Sequence, residues 1–86
     1  MICALVAAPP SSAGLRQRIV AANKVERKLT LLHPRYLWVA ACSQPTATRF
    51  DCRFVGRRGA RDARGRATVI HSGRFYVVRL GRIAFS

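Results

Sequence analysis

Between Thr48 and Val55 the chain alternates without a break. Phe50, Cys52 and Phe54 fall on one side of an extended backbone, and Arg49, Asp51 and Arg53 on the other. Successive side chains of a strand point to opposite faces, so this pattern demands a half-buried strand with one apolar and one charged surface. Such a strand needs sheet neighbours, and its apolar face needs a cover. In 86 residues there is room for one small core to meet both needs. Half of the residues are hydrophobic, more than a disordered basic tail carries, so a core is expected.

The cover lies upstream. Leu15, Ile19, Ala22, Val25, Leu29 and Leu32 recur at helical steps, predicting an amphipathic helix over 12–33. Ser12 suits the N-cap, and Pro34 disfavours helical geometry at His33. Glu26 and Arg18 intrude on the apolar side. Residues 1–11, ending in Pro9-Pro10-Ser11, read as a flexible tail. Downstream, Tyr36–Ala40 is aromatic and β-branched enough for a strand, and Ser43–Thr46 reads as a loop. A hairpin over 36–55 turning near Pro45 sets Phe50 beside Ala40 and Cys52 beside Trp38. A second hairpin, 67–85, turns at Ser72-Gly73, where glycine supplies positive φ. Ile83 and Phe85 continue its last strand past Gly81 as an edge or bulge. Alternation assigns Trp38, Phe50, Phe54 and Phe75 to the core and leaves Tyr36 and Tyr76 as candidate stacking surfaces. The expected fold class is α+β, a single small basic domain over 12–86 with one helix on an antiparallel sheet of two hairpins.

Between the hairpins lies Gly56–Arg66, with three glycines, five arginines and no apolar period. It reads as an exposed, disordered loop. It is also the densest part of a strongly cationic chain. Fourteen arginines and two lysines face only Glu26, Asp51 and Asp62, for a formal net charge of +13. That balance favours polyanionic partners and opposes compaction. Arginine forks bind phosphate bidentately and stack on bases, so the loop points to nucleic acid, RNA ahead of DNA, held through its backbone. The candidate contacts are Arg57, Arg58, Arg61, Arg64 and Arg66, with Arg49 and Arg53 on the adjoining strand face.

Other classes fare worse. His33 and His71 have no Ser, Cys or carboxylate at catalytic spacing, so no enzyme is expected. Cys3, Cys42 and Cys52 form no Cys-x-x-Cys pair, which implies reduced thiols and neither a metal site nor a cofactor. No apolar run is long enough to span a bilayer, and an anionic membrane surface ranks below nucleic acid as a partner for the helix. A cytoplasmic location is expected, with a mitochondrial or other organellar one as the alternative because residues 1–35 are basic. The alternative functions are a non-catalytic structural or assembly subunit in a larger protein or ribonucleoprotein complex, and a translated GC-rich reading frame without evolved function. Gly73–Val78 has its glycine and arginine in the wrong order for the third-strand motif of an RNA recognition motif. Arg27–Thr30 with the late Gly-Arg-Phe-Tyr-Val-Val run resembles SymE-type toxins, but that family's Gly-x-Trp-Leu motif is missing, so no family is assigned.

Overall fold

The computed structural model describes residues 12–86, with side chains from Leu15 onward. The tail read over 1–11 and Cys3 lie outside the described residues, as does the side chain on which the capping role of Ser12 rests. Helix α1 (Ser12–Leu32) precedes β1 (Leu37–Thr46), β2 (Arg49–Arg58), β3 (Arg61–Ser72) and β4 (Phe75–Phe85). All neighbouring strands are antiparallel and lie side by side in chain order, a four-stranded meander with α1 on one face. The fold is α+β, as the periods imply.

Helix α1 meets the sheet along a narrow seam. Ala21, Val25 and Leu29 are fully buried at a spacing of four, while Leu15, Ile19 and Leu32 at the ends of the expected stripe stay exposed. Glu26, the apparent intruder, ties the helix to the sheet, its carboxylate accepting a hydrogen bond from the Ala40 N–H at 2.8 Å. On the other side of the helix, Lys28 Nζ donates to the Val78 carbonyl at 3.1 Å. β1 and β4 are the two edge strands, so one helix occupies a free backbone group on each edge. The helix ends where His33 N–H bonds the Leu29 carbonyl, and the His33 carbonyl in turn accepts from Tyr36 N–H and the Trp38 indole.

Reaching both edges requires a curled sheet. The Phe85 ring, at the end of β4, lies 5.7 Å from Tyr36 and 5.3 Å from His33, which precede β1. Large rings inside the curl are matched to glycines. The Trp38 ring lies flat over Gly56, its register partner, and Phe54 lies over Gly65. A Cβ at either glycine would sit within 2.6 Å of a ring carbon. Phe50, Phe54, Trp38, Val69 and the helix seam form one core.

Four expectations change. The stretch 56–66 is no loop: β2 runs to Arg58, Gly59 (φ 61°) and Ala60 make a two-residue turn, and β3 begins at Arg61. Its alternation is hidden because the inward positions are Gly56, Ala63 and Gly65, small residues beneath rings supplied by other strands, and the exposed Arg58 and Arg61 at the tip. The first hairpin turns at Ala47-Thr48, so Phe54 pairs with Ala40 and Gly56 with Trp38, a slip of four residues from the expected register. Pro45 is accommodated within β1, near an irregularity between Ser43 and Thr46, because an edge strand tolerates a missing donor. The new register brings Cys42 opposite Cys52, and the two form a disulfide in place of free thiols. Finally, Phe75 leaves the core. It shares a strand face with Val77 and Arg79, and burying it would bury that arginine; Tyr76, Val78 and Leu80 turn inward instead. The second hairpin keeps its glycine turn (Gly73, φ 59°), and the register shift between Gly65 and Ala67 places the expected bulge at Gly81.

Candidate nucleic-acid interface

The sheet face turned away from α1 has no cover among the described residues, and the arginines collect there. Strand register fixes the arrangement. Arg49 stands in a row with Ile70 and Val77, and Asp51 with Thr68 and Arg79. Arg53 lies directly opposite Arg66, beside the bulge that carries Arg82. Val39, Val55 and Arg64 form the next row, then Leu37, Arg57 and Asp62. Five of the seven candidate arginines (49, 53, 57, 64 and 66) therefore share one surface. Arg58 and Arg61 pair with each other beside the turn and, by alternation, belong to the opposite face at the sheet's tip.

Every acid is engaged locally. Arg49 Nε donates to Asp51 Oδ1 at 3.0 Å and Arg57 Nε to Asp62 Oδ1 at 3.2 Å, both pairs exposed and worth at most about 1 kcal/mol each. Glu26 is taken up by the β1 backbone on the far face. Arg53, Arg64, Arg66 and Arg79 consequently have no carboxylate partner among the described residues. The direct Arg53–Arg66 opposition is unfavourable, of order 0.2–1 kcal/mol for like charges across a strand pair. An anion seated between the two guanidinium groups would remove that repulsion. The setting suits it: an open depression floored by Ala41, Ser43 and Thr68, short side chains that leave the guanidinium groups standing clear.

Two residues on this face carry no local signal in the sequence. Arg79 lies outside the arginine-dense segment and joins it only through β3–β4 pairing. Phe75 is 74% exposed, opposite the small Ser72. The tyrosines expected to stack are instead packed. Tyr36 lies against Trp38, and Tyr76 lies flat on His71 with ring centroids 4.3 Å apart. His33 is likewise packed edge-on against Phe85. No cluster of His, Cys, Asp or Glu among the described residues has metal-binding geometry, and no helix there is long and apolar enough to cross a membrane. No family model, curated protein or solved structure matches this chain.

Proposed function

We propose that this protein binds nucleic acid, RNA before DNA, by holding the phosphate backbone on the open face of the sheet, and that its role is binding and not catalysis. The observation that carries the reading is the gathering of Arg49, Arg53, Arg57, Arg64, Arg66 and Arg79 on one surface, uncovered among the described residues, that offers them only Asp51 and Asp62 as partners. A large excess of positive charge on an open face attracts a polyanion without selecting its sequence. Arg58 and Arg61 at the tip add to the field.

Phosphate binding by released counterions fixes the test. Five phosphate contacts on a single strand give a salt slope of about −3.5, so affinity falls roughly a hundredfold between 50 and 200 mM salt. Fluorescence anisotropy with a labelled 20-nucleotide RNA measures that slope. The double variant Arg53→Ser/Arg66→Ser lowers its magnitude by about 1.4, that is 0.7 for each phosphate no longer neutralised. Absence of binding at 50 mM salt, or an unchanged slope in the variant, overturns the reading. A second reading, a subunit docked in a larger assembly, is favoured by one observation: Leu31 and Leu37 project from neighbouring positions on α1 and β1 at 78% and 80% exposure. Under that reading, loss of the arginines leaves association intact and Leu37→Ser abolishes it.

A further inference from the structure

Resting on the phosphate-binding reading, we infer that the ligand is an extended single strand of RNA lying parallel to the β-strands, with one base stacked on Phe75. The basis is the order of the rows. Side chains on one face of a strand recur every second residue, so rows are about 6.7 Å apart. From the Ile70 row downward, five consecutive rows each carry at least one arginine: Arg49, then Arg79, then Arg53 with Arg66, then Arg64, then Arg57. That interval is close to the separation of successive phosphates on an extended strand. Duplex RNA presents its phosphates on two curved ribbons, which this single track, never more than one strand (about 5 Å) to either side of β3, matches at fewer points.

The row before the ladder is different. It holds Ser72 and Phe75, with Ile70 and Val77 in the next row, and it carries no cation on this face. An aromatic ring left bare at the end of a cationic track has the makings of a stacking platform, since every base has an apolar face. Its small partner Ser72 leaves the ring uncovered. Six rows span about 33 Å, which sets a footprint of about six nucleotides.

The test uses the full chain and oligouridines of 2 to 12 residues, with a 12-base-pair RNA duplex as comparison. Affinity rises with each residue to about six and then levels off, and the single strand binds more tightly than the duplex at equal length. Phe75→Ala, at an exposed position that the core does not use, lowers single-strand affinity about five- to a hundredfold, leaves the salt slope unchanged and does not affect the duplex. Equal affinity for duplex and single strand, or a Phe75→Ala variant that binds like the parent, overturns this inference. If Arg53→Ser/Arg66→Ser still flattens the salt slope in that case, backbone binding stands and only the single-strand geometry falls. Oligodeoxyuridine as tight as oligouridine overturns the RNA assignment.

Discussion

Replacing Gly56 by alanine tests the core where sequence rules and structure disagree on the sign. Glycine within a strand is ordinarily a weak point, and alanine there gains about 0.5–1 kcal/mol. Here the new Cβ would lie 2.5 Å from Trp38 Cε3 and Cζ3 and 2.9 Å from Cη2. Restoring ordinary contact requires the indole to lift by about 1 Å, and three neighbours resist. The indole N–H donates to the His33 carbonyl at 3.1 Å, one face stacks on Tyr36 at 5.3 Å, and the ring meets Phe54 edge-on at 5.7 Å. Overpacking costs about 1–3 kcal/mol and the loosened hydrogen bond about 0.5–1.5 kcal/mol. Set against the generic gain, the net loss is about 2 kcal/mol, or roughly 8–16 °C in Tm for a domain of this size. Thermal melting by far-UV circular dichroism gives the stability. Fluorescence of Trp38, the sole tryptophan, reports the local displacement. A Gly56→Ala protein as stable as the parent, with unshifted emission, would refute the account of how the curled sheet is packed.

Two further stability predictions concern the edge strand β1. The Cys42–Cys52 bridge closes a sequence separation of 10, and the loop-entropy relation assigns it about 2.7 kcal/mol. Reductant, or the Cys42→Ser/Cys52→Ser pair, therefore lowers Tm by roughly 10–20 °C, and a melt indifferent to reductant contradicts it. Glu26→Ala removes the acceptor for the Ala40 N–H and costs about 1.5 kcal/mol, the lower end for a charged acceptor because Glu26 is only half-buried. Glu26→Gln keeps a carbonyl acceptor and loses less; equal losses in the two variants would show that the hydrogen bond is not what matters there.

The sequence exposes whatever repeats within a single element. The Phe50/Cys52/Phe54 alternation, the helix over Ser12–Leu32 and the glycine turn at Gly73 are all visible because each is a local periodicity or a local backbone requirement. The segment 56–66 reads as a loop, and is not one, for an equally physical reason. A strand is recognised by large apolar side chains at alternate positions, and β3 has Ala63, Gly65 and Ala67 there, since Trp38 and Phe54 already occupy the space above that part of the sheet. Volume that belongs to one strand is supplied by its neighbours, and no window of sequence records the exchange.

The candidate site shows the same division. That Arg49 and Arg53 share a face follows from β2 alone. That Arg64, Arg66 and Arg79 join them, that Arg58 and Arg61 do not, and that Phe75 replaces the tyrosines as the exposed ring follow from register. In β4 both faces carry apolar side chains; Arg79 bars the Phe75/Val77 face from the core, and the pairing of Val78 with Val69 and Leu80 with Ala67 sets the other face upon it. The sequence by itself determined the α+β class, the helix and a sheet with one cationic face. Tertiary structure decided which cations that face collects and how they are spaced, because side-chain alternation is a property of one strand whereas a surface is made by several in register.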